Sequence, residues 1–396
     1  MPQKQAPLLS LFFIYLRLGL TSFGGPVAHL GYFRDEFVIR RKWLTDQAYA
    51  DLVALCQFLP GPASSQVGYA IGYQRHGWAG GIIAWSAFTL PSAIALILFA
   101  YGLSSIGDAS DAGWVLGLKL AAVAVVAKAV WGMGIKLCNT RTTASFALIS
   151  AAVILLFPTA WAQVGVVIAG AIAGWLLLSA DTPDPGHSAT GAKRSPRAGC
   201  LYVALFAALL LGFWGLSSIS DSRWVQYFDA FYRSGSLVFG GGHVVLPLLE
   251  EAVVSTGWVD ENTFLAGYGA AQAVPGPLFT FSAFLGASMD RSPTGWLGGL
   301  YCLVVIYIPS ILLVTGILPF WEKIRANRGA RRALAGTNAA VVGLLLAAFY
   351  DPVWTSAIVS PRAAAFAVIA YLLIQFWKVP AWALVILSGL VGWAIL

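Results

Sequence analysis

Arg17-Leu-Gly-Leu-Thr-Ser-Phe-Gly-Gly-Pro26 occurs a second time in the chain, as Arg233-Ser-Gly-Ser-Leu-Val-Phe-Gly-Gly-Gly242. Other motifs repeat at nearly the same spacing. Gln57-Phe-Leu-Pro-Gly-Pro62 returns as Gln272-Ala-Val-Pro-Gly-Pro277, Gly77-Trp-Ala-Gly-Gly81 as Gly295-Trp-Leu-Gly-Gly299, and Pro91-Ser92 as Pro309-Ser310. The offset stays between 215 and 218 residues, so the chain is an internal duplication with a short insertion or deletion near residues 68–76.

The composition is that of a protein with many membrane crossings. Hydrophobic residues make up 59% of the 396, charged residues 10%, and the mean hydropathy is +0.77, whereas soluble domains carry roughly 25% charged residues. The net charge of +7 belongs to the loops and indicates topology, not nucleic-acid binding. The four cysteines are scattered without metal-ligand spacing, so we expect no metal and no cofactor. No cleavable signal is expected within residues 1–10.

The apolar segments predict an all-α fold. Four of them are interrupted by the repeated motifs: 11–31, 48–75, 226–249 and 264–289. Nine others predict uninterrupted spans of about 20 residues: 78–103, 114–137, 143–158, 161–179, 201–217, 295–319, 333–350, 357–376 and 379–396. The expected number of crossings is therefore nine to 13, depending on whether the interrupted segments cross or fold back as re-entrant hairpins.

Loop charges predict that the two repeats are inverted. The stretch after the first glycine motif carries Arg34, Arg40, Arg41 and Lys42, whereas residues 250–261 carry only acidic charges. Basic loops stay in the cytoplasm, so equivalent loops of opposite charge indicate opposite sides of the membrane, and the charges favour re-entrant hairpins.

The predicted domains are a repeat over 1–180, a cytoplasmic linker over 181–199, a connecting transmembrane helix over 200–224 and a repeat over 225–396.

Two arginines occupy one repeat position inside apolar sequence. Arg17 and Arg233 each lie six residues before Phe-Gly-Gly. An arginine at membrane depth marks a function or a buried partner. The alternative is that each arginine lies near a helix end and extends its side chain to the membrane surface. The guanidinium matches two oxygens of a tetrahedral oxyanion, so both arginines are candidate substrate ligands.

The breaks themselves are the second group of candidates. Consecutive glycines free backbone N–H groups, which are tolerated at membrane depth where they line a cavity, although glycines also allow close helix packing. A proline-glycine-proline turn ends one helix and starts another, with a glutamine one turn earlier. The candidate substrate-binding residues of these motifs are Gly24, Gly25, Gly240, Gly241, Gln57, Gln272, Pro60, Gly61, Pro62, Pro275, Gly276 and Pro277.

Charged and titratable residues that do not repeat are candidates for neutralising the substrate or for coupling. Lys128 lies near the centre of the span 114–137 and is expected to be a buried cation that either neutralises an anionic substrate or pairs with a backbone carbonyl or a distant acid. His29 and His243 follow the two glycine breaks at non-equivalent positions; each could relay protons or be a structural group whose hydrogen bonds are satisfied. Asp51 is the acid closest to membrane depth. The chain has no P-loop motif and no catalytic constellation, so it is not expected to be an enzyme.

At these motifs the chain resembles the chromate ion transporter family in its long, two-domain form. The likeness lies in Arg17 to Pro26, Gln57 to Pro62 and their second copies, and it covers nearly the whole chain. It implies a multi-pass carrier of the bacterial inner membrane that moves chromate, usually outward, and confers chromate resistance. It also implies homologous halves of opposite orientation, driven by the membrane potential or a proton gradient.

The residues and the resemblance together predict a secondary active chromate carrier with alternating access and a site between the breaks. On this hypothesis Arg17→Ala and Arg233→Ala each abolish transport while the protein stays in the membrane. A permease for sulfate or another oxyanion would use the same residues, and an anion channel is a further alternative. The expected partners are chromate or sulfate and the lipid bilayer, not nucleic acid, and the sequence leaves open whether the protein forms a homodimer.

Overall fold

The computed structural model describes residues 7–22, 25–105, 113–179, 196–239, 245–321, 324 and 327–395. Within these ranges the chain is helical and contains no strand, as the sequence predicts. The predicted linker, 181–199, lies almost entirely outside the described residues.

The first repeat consists of seven helices. They are α1 (Leu8–Thr21), α2 (Gly25–Arg34), α3 (Asp46–Phe58), α4 (Ala63–Ser105), α5 (Gly113–Leu137), α6 (Arg141–Leu156) and α7 (Ala160–Leu177). A π-helical segment, Asp35–Arg40, continues α2. The connecting helix α8 (Pro196–Ser217) follows the linker.

The second repeat has the same order of elements. Its helices are α9 (Arg223–Leu237), α10 (Val245–Val253), α11 (Glu261–Ala273), α12 (Phe281–Ala287), α13 (Gly295–Ile317), α14 (Arg328–Ala348), α15 (Pro361–Gln375) and α16 (Ala381–Ile395). Short 3-10 turns, Leu278–Thr280 and Leu318–Phe320, precede α12 and follow α13. A π-helical segment, Phe349–Trp354, and a turn, Thr355–Ala357, follow α14. Helices α12 and α13 together correspond to α4.

Equivalent caps start the helices that lead to the two proline-glycine-proline turns. The Thr45 side chain accepts a hydrogen bond from the Ala48 N–H at the start of α3, and the Asp260 side chain accepts one from the Thr263 N–H at the start of α11. Such caps satisfy N–H groups that the first helical turn leaves free. Both helices end just before the prolines, where the chain cannot continue the helical pattern.

The two segments that are interrupted by the glycine motifs reverse direction at their breaks. Before and after the first glycine break, the Tyr15 ring packs on Phe33 and Phe37, with centroids 6.1 and 5.2 Å apart. In the second repeat the Ser234 hydroxyl reaches the Leu248 carbonyl across the equivalent break. Each of these segments therefore forms a helical hairpin.

Helix α4 consists of two arms that meet at a predicted boundary. The sequence separates the segment 48–75 from a span over 78–103, and the helix breaks between these two segments. His76 and Gly77 leave the helical region, and Gly77 has φ +58°. A side chain on Gly72 would lie 2.3 Å from the Gly80 carbonyl oxygen, so the two arms fold back on each other where only glycines fit.

Fewer helices are long enough to cross a bilayer than the sequence suggests. By length and composition the described residues contain five such helices: Ala63–Ser104, Gly113–Ile135, Pro196–Ser217, Gly295–Phe320 and Arg328–Asp351. The segments predicted as spans over 143–158, 161–179, 357–376 and 379–396 form helices of 16, 18, 15 and 15 residues. Within each pair, the helices are separated by a short turn, at residues 157–159 or 376–380.

The two repeats exchange helices. Helix α5 of the first repeat packs against α15 and α16 of the second, and its equivalent α14 packs against α6 and α7 of the first. Small residues allow both approaches. A Cβ on Gly117 would lie 2.0 Å from the Ser388 carbonyl oxygen, and a Cβ on Gly336 would lie 2.1 Å from that of Gly170. The repeats are thus related by an approximate two-fold axis and share one core.

The long arm of α4 and its equivalent α13 cross in antiparallel directions near this axis. Tyr101 contacts Gly295 at one end, and the rings of Trp85 and Tyr307 lie 5.4 Å apart nearer the other. Residue numbers thus rise along α4 as they fall along α13. These two equivalent helices therefore run in opposite directions where they cross.

Candidate functional site

The hairpin tips of the two repeats meet at the repeat interface. The Gly61 N–H donates to the Val238 carbonyl at 2.6 Å, and the Gly276 N–H donates to the Ser22 carbonyl at 3.0 Å. Gly61 and Gly276 are repeat equivalents, and so are Ser22 and Val238. Each proline-glycine-proline turn therefore binds the end of the broken helix of the other repeat, which places the predicted motifs in one region.

The repeated Pro-Ser pairs of α4 and α13 close around these turns. Gly61 has φ +120°, and a Cβ there would lie 2.1 Å from the Ser310 hydroxyl oxygen. Gly276 has φ +100°, and a Cβ there would lie 2.8 Å from that of Ser92. Both glycines are thus required by backbone conformation and by space. The repetition of Pro-Ser in the sequence was the only sign of this role.

A cluster of neutral polar side chains lies beside the first of these turns. It surrounds a cavity of about 10 Å³ that is lined by Ser65, Gln66, Tyr69, Trp85, Tyr307, Ser310 and Ile311. Several polar atoms here are buried without a hydrogen-bond partner: Ser65 Oγ, Gln66 Oε1, Trp85 Nε1, Thr89 Oγ1, Tyr307 OH and Ser310 Oγ. None of these residues stands out in the sequence as a ligand, because most of them differ from their second copies.

The two predicted arginines do not lie in this cluster. Arg17 Nη2 is 2.5 Å from Glu36 Oε2, and Arg233 Nη2 is 3.1 Å from Asp229 Oδ2. Glu36 and Asp229 are almost fully buried and occupy non-equivalent positions. Each arginine is therefore neutralised within its own repeat, part of the way along its hairpin and away from the tip.

Glu36 binds three arginines at once. Besides Arg17, it contacts Arg40 at 3.2 Å and Arg41 at 2.6 Å. Arg75 lies 4.4 Å above the Trp43 ring in the same region. The single negative charge of Glu36 cannot balance the positive charges of these arginines. The end of the first hairpin that lies away from its glycine break is therefore electropositive.

The opposite charge lies at the equivalent end of the second repeat. Glu250 in α10 is close enough to interact electrostatically with Glu251, Glu261 and Asp351. The described residues contain no group of three or more histidine, cysteine or acidic side chains arranged to hold a metal ion. The charges of these neighbouring acids make this end of the second repeat electronegative.

The two predicted glutamines differ in environment. Gln57 is exposed on α3, whereas Gln272 is partly buried on α11 and its amide nitrogen has no hydrogen-bond partner. Among the glycines of the first break, Gly25 has φ +76°, and no atom of the described residues lies within 4 Å of the position that a Cβ would take there. Four predicted residues lie outside the described residues: Gly24, Gly240, Gly241 and His243.

Lys128 is not the buried cation that the sequence predicts. Its side chain is exposed on α5, and Nζ donates to the Ile374 carbonyl at 3.2 Å. Lys119, about two turns earlier in α5, is 6% exposed and donates to the Asn262 side chain of the other repeat. The helix turns Lys128 away from the core because positions 119 and 128 lie on different faces.

His29 is completely buried at the first hairpin tip. Its Nε2 lies 3.1 Å from the Ser22 carbonyl oxygen and its Nδ1 lies 3.3 Å from the Ser64 hydroxyl. The imidazole therefore connects the end of α1 with the start of α4. The same Ser22 carbonyl also accepts the Gly276 N–H of the second repeat, so this connection lies where the two repeats meet. Asp51 belongs to α3, but its side chain lies outside what the structure describes.

Comparison with known proteins identifies relatives over most of the chain. The chromate transporter family model matches residues 9–175 and 225–393, one match in each repeat. The chromate transport protein of Pseudomonas aeruginosa is 26% identical over 86% of this chain and 80% of its own length. That of Cupriavidus metallidurans is 25% identical over 97% and 92%, and a probable chromate transport protein of Synechococcus elongatus is 26% identical over 84% and 81%. No solved structure matches the chain.

Proposed function

Because the chain belongs to the chromate transporter family, we propose that it is a secondary active carrier that exports chromate across a bacterial inner membrane and so confers chromate resistance. The observation that carries this proposal is the pair of hydrogen bonds from Gly61 to Val238 and from Gly276 to Ser22. They hold irregular backbone at the interface of two repeats, which is where secondary transporters place their substrate sites.

Opposite orientation of the two repeats in the membrane is part of this proposal. It is supported by the antiparallel crossing of α13 with its repeat equivalent, the long arm of α4. Both helices are long enough to span a bilayer, so antiparallel packing implies that they cross in opposite directions. The exchange of α5 and α14 between the repeats fits the same two-fold relation.

The charge distribution supports export. Basic loops remain cytoplasmic, which assigns the arginine-rich end around Glu36 to the cytoplasm and the acidic end around Glu250 to the outside. Anions would gather at the first end and be repelled from the second. A membrane potential that is negative inside adds a driving force of about 2.3 kcal/mol per charge per 100 mV, and chromate carries two negative charges at neutral pH.

The buried polar residues of the hairpins are our candidates for coupling. His29 contacts the Ser22 carbonyl that also receives the cross-repeat hydrogen bond from Gly276. A change in its protonation would therefore act on the contact between the repeats. Asp51 and His243 remain candidates from the sequence alone.

Flux measurements in proteoliposomes test the function. Purified protein is reconstituted, and uptake of labelled chromate and labelled sulfate is followed under imposed voltage and pH gradients. We expect saturable chromate uptake that rises when the interior is made positive, with protein-free liposomes as the control.

Each alternative predicts a different outcome of this experiment. Saturable sulfate flux without chromate flux would identify a sulfate permease and contradict the proposal. Flux that never saturates and shows no countertransport would identify an anion channel. Dependence of chromate flux on the pH gradient at fixed voltage would identify protons as the coupling ion.

A further inference from the structure

The neutral polar cluster at the repeat interface has an unusual number of unsatisfied groups. Ser65, Thr89, Tyr307 and Ser310 are each at most 4% exposed, and none of their hydroxyl groups has a hydrogen-bond partner. The indole N–H of Trp85 is also buried without one. Buried polar groups are normally hydrogen-bonded, and each exception needs an explanation. Five together indicate a site whose partner is a ligand.

The position of the cluster is that of a transport site. Thr89 and Tyr307 are repeat equivalents, with residue numbers that differ by 218. The Tyr307 hydroxyl lies beside those of Thr89 and Ser65, without the geometry of a full hydrogen bond to either. Equivalent residues can be neighbours only close to the two-fold axis. The cluster therefore lies on the axis, where a substrate can be reached in turn from both ends.

The chemistry of the cluster selects an anion. The serine, threonine and tyrosine hydroxyls and the Trp85 N–H can all donate. The Gln66 amide already donates to the Pro60 carbonyl at 2.7 Å, which leaves its oxygen as an acceptor, so we exclude it from the donor set. None of the described residues that line the cavity carries a charge. A ligand rich in acceptor oxygens fits these donors.

We propose that Ser65, Trp85, Thr89, Tyr307 and Ser310 form the binding site of the dehydrated oxyanion, and that neutral hydrogen-bond donors, not arginines, hold it. This inference rests on the proposed function and names the substrate site within it. The arginines of the first hairpin serve to concentrate the anion at the entrance. At the axis, a site without fixed charges binds the dianion weakly enough to release it. Because the empty site is neutral, its return to the cytoplasmic side moves no charge across the membrane.

The cavity at this site is smaller than the anion. The cavity of about 10 Å³ holds at most one water molecule, which is too little for a tetrahedral oxyanion. Tyr307 and Ser310 come from the second repeat, and the other three donors come from the first. A small movement of the repeats about their axis would therefore open the site and separate its two halves.

Variants that remove one hydroxyl each test the assignment. Tyr307→Phe and Ser310→Ala should each raise the KM for chromate at least tenfold, since each deletes a hydrogen bond to a charged ligand. Their melting temperatures should not fall, because each removes a hydroxyl that has no partner in the protein. Tyr301→Phe and Ser282→Ala are matched controls, since their hydroxyls bond the Trp224 and Phe279 carbonyls, and they should leave KM within twofold of wild type.

The outcomes separate this inference from the proposed function. If wild-type protein transports chromate and both cluster variants keep its KM, the inference fails while the function stands. If wild-type protein transports sulfate alone, the proposed function fails and the sulfate KM of the same variants decides the site. Wild-type protein that moves neither anion would overturn both. Should one variant not fold, Thr89→Val gives the same test.

Discussion

The two arginines that repeat in the sequence form ion pairs within their own repeats, whereas their repetition suggests a shared substrate site. The repeated Arg17 and Arg233 are bound by Glu36 and Asp229, and these two acids are not repeat equivalents of each other. A search for repeated residues therefore finds the arginines and misses their partners. The duplicated scaffold repeats its backbone-shaping residues, whereas Tyr307 and Trp85 occur in only one copy of their positions.

The lysines of α5 give a test at this scale. Lys119→Met should lower stability by about 1–3 kcal/mol, because it leaves the Asn262 side chain without its buried partner. Lys128→Met should change it by less than about 0.5 kcal/mol, as is usual for exposed positions. Thermal melting of the purified protein in detergent measures both. Equal losses in the two variants would contradict the assignment of Lys119 as the buried cation.

At the scale of elements, the sequence predicted the hairpins but not their contacts. Pro60-Gly-Pro62 and Gly77 mark places where helix cannot continue, so the breaks and the reversal of the chain follow from local chemistry. The exchange of α5 and α14 does not, because it depends on Gly117, Gly336 and their distant partners. Such small residues look the same in a sequence whether they face lipid or another helix.

Glycine substitutions test the contact between hairpin tips. Gly61→Ala should reduce chromate transport at least tenfold, because a methyl group would overlap the Ser310 hydroxyl. Gly77→Ala is the control: this glycine also has positive φ, yet no other atom lies within 4 Å of the place that its methyl group would take. The control carries only the backbone cost, about 1–3 kcal/mol for a conformation that is close to the region confined to glycine, and should keep more of the activity than Gly61→Ala. Similar losses in both would assign the effect to backbone strain.

The molecule as a whole has one basic and one acidic end. The loop charges that predicted inverted repeats are also the groups that make the first end electropositive, around Glu36, and the second electronegative, around Glu250. The placement of these two ends on opposite sides of a membrane stays a prediction. The sequence did not predict the neutral cluster on the axis, because ordinary polar residues become a site only when two repeats bring them together.

Thiol labelling tests the proposed orientation. In a variant in which Cys56, Cys138, Cys200 and Cys302 are replaced, a single cysteine is placed at Lys42 or at Ser255, both of which are exposed. A membrane-impermeant maleimide should label position 255 in intact cells and position 42 only after permeabilisation. Labelling of both positions from the same side would exclude inverted repeats.

The central claim is that the oxyanion passes between the repeats at Ser310, and substrate protection tests it most directly. Ser310→Cys is made in the same cysteine-free background, and its transport is confirmed in proteoliposomes. Its rate of reaction with a small thiol reagent is then measured from either side with increasing chromate. Chromate should slow the reaction from both sides, with half-protection near its KM. A reaction rate that chromate leaves unchanged in an actively transporting variant would contradict the claim.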